Sequence, residues 1–316
     1  MIEYRSFRNS DPPHILRLWQ NSGLGRGAAS GLSADQFDDL TFAQPYFDPQ
    51  GLIVACDADE IVGYVHAGFG ATAAEDCLCR NAGVICAVIV APESRRQGVG
   101  RRLVELAENY LRQAGATSIH AGAAAPCDPF YFGLYGGSQP AGFLQSDAAA
   151  GPFFERLGYQ PDTRHLVWQR QIGTVPDPVG MRLMSIRRAT QLAALDPQPR
   201  KPWWWQTRPG RLDTVHLGLM PKAGGAPLAE VTVVGLDLYI PRWQVRPIGL
   251  MELKVSDKYQ RKGYGQALIV EVCRRMREEM VGLAEAHARS DDHGALAVLK
   301  SAGFKEVDVG VVYRKV

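Results

Sequence analysis

One short pattern occurs twice in this chain and limits what it can fold into: Arg95-Arg96-Gln97-Gly98-Val99-Gly100 and Gln260-Arg261-Lys262-Gly263-Tyr264-Gly265. Each copy follows an apolar, strand-like run and opens a run of helical spacing. In a strand-to-helix turn of this kind, glycine lets the backbone turn sharply and come close to a ligand. The first amides of the new helix have no intrahelical partner and point outward. Free N–H donors then coincide with the positive end of the helix dipole, which suits a diphosphate. Two copies with matched surroundings point to a duplicated ligand-binding unit.

The length of 316 residues allows two domains of about 150 residues each. Turn formers without apolar periodicity fill Gly173-Thr174-Val175-Pro176-Asp177-Pro178-Val179-Gly180, the best linker position. Domains are therefore expected at 1–172 and 181–316. The first half reads as strand 2–8, helix 11–21, a loop-rich stretch to 47, strands 51–56, 61–69 and 83–90, then helix 99–113. Strand 118–123, helix 151–157 and strand 165–171 complete it. The second half repeats the plan: a weak first strand at 183–187, strands 215–220, 228–234 and 248–255, helix 265–280, strand 283–288, helix 294–301 and strands around 307 and 312. Antiparallel pairs with one strand–helix–strand crossover per half imply an α+β class with a mixed, mostly antiparallel sheet flanked by helices. Asp147, Phe154 and Gly158 match Asp292, Leu299 and Gly303 at one constant offset, whereas the glycine turns match at an offset 20 residues larger. The excess is an inserted loop at about 125–146, containing Tyr131 and Tyr135.

Apolar residues make up 46% and charged residues 22%, as in ordinary globular proteins. A formal net charge of +2 gives no basic field for nucleic acid, and no apolar run reaches membrane-spanning length. The six cysteines lack a zinc pattern, and Cys77 and Cys79 are too close for an ordinary disulfide. Reduced thiols in a cytoplasmic protein, with neither metal nor membrane nor nucleic acid as partner, are expected.

With both motifs in place, the chain resembles the GCN5-related N-acetyltransferase (GNAT) superfamily in a tandem, two-domain form. The family's central motif, Gln or Arg, two residues, Gly, one residue, then Gly or Ala, is matched by Arg95-x-x-Gly98-x-Gly100 and Gln260-x-x-Gly263-x-Gly265. Its later helix ending in Gly-Tyr or Gly-Phe is matched by Phe154-Glu155-Arg156-Leu157-Gly158-Tyr159 and Leu299-Lys300-Ser301-Ala302-Gly303-Phe304. The resemblance implies strands four and five that splay apart and a coenzyme A cosubstrate, with acetyl-CoA as acyl donor and a primary amine of a small molecule or peptide as acceptor. The pantetheine arm would pair with the open edge at Val88, Ile89 and Val90, or at Leu253, Lys254 and Val255. The diphosphate would rest on the amides of Gln97, Gly98, Val99, Gly100 and Arg101, or of Lys262, Gly263, Tyr264, Gly265 and Gln266. Arg95 and Arg96, or Arg261 and Lys262 beside Gln260, would add charge or polarity. The amide of Val88 or Leu253 would polarise the thioester carbonyl. Attack is expected to be direct, in a ternary complex. The chain would be a monomer with intrachain domain pairing or a homodimer.

The chain departs from the family at the general acid. Many members place a tyrosine four residues before the Gly-Phe glycine, where this chain has Phe154 and Leu299. Tyr131 and Tyr135 of the insertion are candidates to replace that hydroxyl, with loop packing as the alternative. Asp147 and Asp292 stand where the family has a pantetheine-binding asparagine, with helix capping as the alternative. Glu252 is expected to face away from the acceptor by strand alternation. Trp203-Trp204-Trp205 is expected to pack against the other domain, and His120, His216 and His287 to be structural. A catalytic first domain with its insertion as pocket wall is the leading expectation, and non-catalytic CoA-binding or scaffold halves the alternative. A dinucleotide oxidoreductase lacks its acidic residue about 20 positions on, and a Walker loop lacks its Gly-Lys-Ser/Thr ending.

Overall fold

The computed structural model describes residues 2–196 and 202–316. In chain order the first half comprises β1 (Ile2–Ser6), α1 (Pro12–Asn21), α2 (Ala34–Thr41), β2 (Leu52–Asp57), β3 (Glu60–Ala71), β4 (Leu78–Val90) and α3 (Val99–Gln113). It continues through β5 (Ser118–Ala121), β6 (Phe143–Leu144), α4 (Ala150–Arg156) and β7 (Tyr159–Gln171). The second half comprises α5 (Met181–Ala189), β8 (Thr190–Ala194), α6 (Trp203–Gln206), β9 (Thr214–Pro221), β10 (Ala229–Gly235) and α7 (Ile240–Trp243). Then come β11 (Pro247–Val255), α8 (Tyr264–Glu278), β12 (Leu283–Arg289), α9 (His293–Ser301) and β13 (Lys305–Lys315).

The strands form one sheet in the order β1-β2-β3-β4-β5-β13-β7-β12-β11-β10-β9-β8, with β6 beside β13. Each half supplies five consecutive positions, and the halves meet through exchanged last strands. β13, from the second half, pairs with β5 (Tyr313↔Ala121), while β7, from the first, pairs with β12 along its length (Leu283↔Gln171 to Arg289↔His165). β7 and β13 also run antiparallel to each other from Lys305↔Gln169 to Lys315↔Tyr159. The linker segment lies between these events, so a cut in sequence there does not separate two sheets. Among the described residues only β4–β5 and β11–β12 are parallel, the two crossovers served by α3 and α8.

The helix spacing explains the layering. Val99, Leu103, Val104, Ala107 and Leu111 of α3 are buried on the sheet, and Ala267, Leu268, Val270, Val272 and Cys273 of α8 do the same in the second half. Each fully buried large aliphatic side chain contributes roughly 1.5–3 kcal/mol. The first core also takes in Val234, Leu236, Tyr239 and Met251 from the second half. Trp204, fully buried, lies 4.9 Å from Tyr46 of the first half, and Arg208 covers its ring at 4.6 Å. The tryptophan cluster is thus inter-half packing. Buried Asp128 of the insertion pairs with buried Arg208 across the same seam.

Three local readings need correction. Residues 183–187 are helical, within α5, and the first strand of the second half is β8. Apolar Leu183 and Ile186 stand three apart, a helical spacing. The loop after α1 contains α2, opened by a capping box between Ser33 and Gln36. The strands around 307 and 312 are one continuous β13.

Candidate active site

Both glycine turns have the geometry expected of an anion cradle. Gly98 caps α3 with φ +87° and Gly263 caps α8 with φ +88°, while Arg96 and Arg261 are also left-handed, at +64° and +57°. The first helical bonds run from Arg102 N to Gly98 O and from Ala267 N to Gly263 O, both 3.0 Å, so the preceding amides have no intrahelical carbonyl. The motif's leading side chain braces each turn. Arg95 donates Nε to Val90 O at 2.9 Å and Nη2 to Ser22 O at 2.6 Å, and Gln260 donates Nε2 to Val255 O at 3.3 Å. Gln97, Lys262 and Gln266 bond to backbone carbonyls of Glu93, Lys258 and Ser301. The charge nearest each turn therefore comes from Arg96 and Arg101, or from Arg261 with the tethered Lys262.

The splay is present in both halves. β4 and β5 pair only through Ile85↔Ala121, while Val88, Ile89 and Val90 stay bonded to β3 on their other edge alone. β11 and β12 pair only through Leu250↔Ala286, and beyond it Lys254 and Val255 are bonded to β10. The β10–β11 register shifts between Glu230 and Thr232, and Glu252 takes φ +55°. That bulge breaks the period of two, so Glu252 lines the fork after all, its carboxylate accepting from Thr232 Oγ1 at 2.6 Å.

The contents of the two forks differ. Trp19, Leu24, Tyr131, Tyr135, Phe143 and Asp147 crowd the first against Cys86–Ile89, leaving about 30 Å³. Tyr131 is 3% exposed, stacks on Trp19 at 5.5 Å and shares a 3.1 Å hydrogen bond with His66 Nδ1. Burial holds His66 down at about 3. The Tyr135 hydroxyl accepts from Leu144 N at 3.1 Å, and burial pushes both tyrosines above the ordinary phenol range. Asp147, raised by burial against the opposing pull of the Ala149 amide and Arg95, leaves the N-cap position of α4 to Ala149.

The second fork opens into a cavity of about 260 Å³. Leu250, Met251 and Leu253 of β11, Ile269 of α8, and Ala295 and Leu299 of α9 supply its apolar lining. His165, His287, Arg289 and Asp292 are also on its wall, with Ala125, Gln139 and Pro140 of the insertion. The insertion thus fills its own fork and walls the other one. Asp292 caps α9, accepting from Ala295 N at 2.9 Å, as the capping alternative anticipates. His165 is held down to about 4, first by burial and then by His287 and Arg289. The second turn is partly covered: a Cβ on Gly263 would meet Arg182 Cδ of α5 at 3.0 Å, whereas one on Gly98 would meet nothing within 4 Å.

Sequence reasoning passes over His165, Glu285 and the reach of the insertion, and it reads His287, which lines the second cavity, as structural. Glu285 and His287 two apart on a strand were a readable signal of a shared face. The contribution of His165 depends on strand exchange, which local pattern does not encode.

Among curated proteins none matches the chain. Its fold matches a GCN5-related N-acetyltransferase from Sphaerobacter thermophilus (TM-score 0.64, 17% identity, 99% of this chain and 95% of that one). A tandem GNAT protein from the clavulanic acid biosynthesis pathway also matches (0.70, 17%, 99% and 98%). So does a GCN5-related glucosamine N-acetyltransferase region of a fungal multi-domain β-N-acetylglucosaminidase (0.71, 16%, 99% of this chain and 38% of that one). At these identities the likeness is one of fold. The sequence profile of the acetyltransferase (GNAT) family matches residues 18–135 and again 186–304, covering each glycine turn and each splay. With most of its length covered by two successive matches, the chain belongs to the acetyltransferase (GNAT) family, as a tandem pair of its domains.

Proposed function

We propose that this chain transfers an acetyl group from acetyl-CoA to a primary amine of a small molecule or peptide, by direct attack in a ternary complex, and that the second fork is where it does so. The observation that carries this reading is the cavity of about 260 Å³ opening between β11 and β12 beside a helix-capping glycine turn. The diphosphate would lie on the amides of 262–266, the pantetheine arm along Leu253, Lys254 and Val255, and the thioester in the fork. Holding both reactants there converts a bimolecular step into an oriented one. The Leu253 amide would polarise the carbonyl as charge develops on its oxygen. A cytoplasmic setting belongs to this reading, supported by six free cysteines. No helix among the described residues is long and apolar enough to cross a membrane.

A non-catalytic role fits the first half. Its fork keeps about 30 Å³, too little for a pantetheine arm, and Tyr131 and Tyr135 are spent on packing and backbone contacts. The halves share one sheet, so pairing within the chain supplies what a homodimer would otherwise provide. Calorimetric titration with acetyl-CoA tests the assignment. One site per chain, lost on blocking the second cavity, is expected. Two sites would return the first half to service, and none would remove the transferase reading.

A further inference from the structure

One side chain of the second cavity keeps a buried ring nitrogen without a partner among the described residues. The His287 side chain is 3% exposed, its ring lines the cavity, and its Nδ1 is buried with no hydrogen-bond partner among the described residues. An unsatisfied buried polar atom destabilises the fold, so its retention points to a ligand atom. The other ring nitrogen fixes the tautomer. Nε2 lies 3.3 Å from Glu285 Oε1, which also accepts the Ser138 N–H at 2.9 Å. Glu285 Oε2 accepts from the Gln169 amide at 2.6 Å, and Arg26 stands 3.9 Å away. A carboxylate among donors accepts, so Nε2 carries the ring proton and Nδ1 keeps its lone pair.

The sheet places this lone pair on the acceptor side. Ala286 and Ala288 belong to the core beneath α8 and α9, so the alternate residues Glu285 and His287 face the opposite side, toward the insertion. His165, opposite Arg289 in the ladder, shares that face. An acyl group arriving from the α8 turn and an amine arriving past the insertion would meet at the fork. Among the described residues no tyrosine lines this cavity. The first half has Gly122 and His120 at the positions matching His287 and Glu285, and so lacks the pair.

Resting on the acyltransferase reading above, we propose that His287 is the proton acceptor of the second fork, with Glu285 as its positioning residue. The amine lone pair forms the C–N bond at the thioester carbonyl, and Nδ1 takes the proton released from nitrogen. The C–S bond breaks, sulfur leaves with the bonding pair, and the imidazolium returns the proton to it. Amide and free thiol are the products, and His287 ends neutral. The charged and titratable groups around the ring are Glu285 and Arg289 on its own strand, His165 on β7, Arg26 after α1, Glu252 on β11 and Asp292 at the start of α9.

Bromoacetyl-CoA tests the placement without knowledge of the acceptor, because a lone pair facing the acyl group displaces bromide and forms an N–CH₂ bond. Peptide mapping by mass spectrometry should find the label on His287, and His287→Gln should lose it while binding acetyl-CoA within about twofold of wild type in calorimetry. Alkylation of Tyr131, Tyr135 or another residue with His287 untouched overturns the proposal and leaves the transferase reading standing. Failure of the wild-type chain to bind acetyl-CoA overturns both. With any of propylamine, glucosamine, lysine or a short free peptide that the chain acetylates, His287→Gln should lower kcat on the order of 10²–10⁴-fold and abolish the acid limb of the kcat–pH profile. Glu285→Gln should shift that limb without altering acetyl-CoA affinity. An unchanged limb in both variants counts against the assignment.

Discussion

The two forks share one sequence pattern and differ in opposite respects. In the first, the glycine turn is open, with nothing within 4 Å of a Cβ on Gly98, but the fork behind it is packed with aromatic rings. In the second, Arg182 and Ile186 of α5 lean over Gly263, yet the fork holds about 260 Å³. A retained motif therefore does not imply a retained site, because the cradle is made by local backbone and the cleft by distant segments. The insertion accounts for much of the contrast, since Tyr131, Tyr135 and Phe143 block one fork while Gln139 and Pro140 wall the other.

The largest effect is expected where the halves are joined. Asp128→Ala leaves Arg208 charged and buried without its partner, and chemical denaturation at neutral pH should show a loss of about 3–5 kcal/mol. A small loss would mean that the insertion is held independently of the second half. Next, Ala295→Trp should fill the second cavity and weaken acetyl-CoA about 100-fold in calorimetry, with the melting temperature little changed. Retained affinity would transfer the site to the first fork.

Acid should act on the packed fork. His66 is buried neutral with its titration held down to about 3, so the unfolded chain binds a proton that the folded chain refuses once pH falls below 6.5. The stability lost through this residue should reach about 2 kcal/mol at pH 5 and stop growing below about 3. A His66 ring that stays neutral at pH 5 by NMR is the direct check. Charge reversal at equivalent turn positions should then separate the halves: Arg261→Glu is expected to weaken acetyl-CoA about 10-fold and Arg96→Glu less than twofold. Equal effects would erase the contrast. The smallest change belongs to Tyr135→Phe, which removes an acceptor for Leu144 N at about 1 kcal/mol and should leave turnover and its pH profile unaltered.

Much of the fold was legible because it is local. The span of α3 follows from Val99, Leu103, Leu106 and Tyr110 at helical spacing, and both turns from their glycines. Reading failed where structure is set at a distance. Alternation turned Glu252 away from the fork, but a bulge reversed it. Leu183 and Ile186 were assigned to a strand despite their helical spacing, which hid the element that covers the second turn. The exchange of β7 and β13 is not readable at all, because either strand has the same alternating pattern whichever sheet it joins. The second cavity inherits that gap, since His165 enters it only through the exchange.

The crossing of β7 and β13 also governs how this molecule can come apart. A nick within residues 173–180 would yield two pieces, each clasping a rib of the other's sheet. They should stay associated through purification, melt as a single transition, and regain their shape from denaturant only when both are in the same tube. Such interlocking is what a swapped pair of ancestral subunits would leave behind once a peptide bond joined them, and it makes this chain indivisible even though its sequence reads as two.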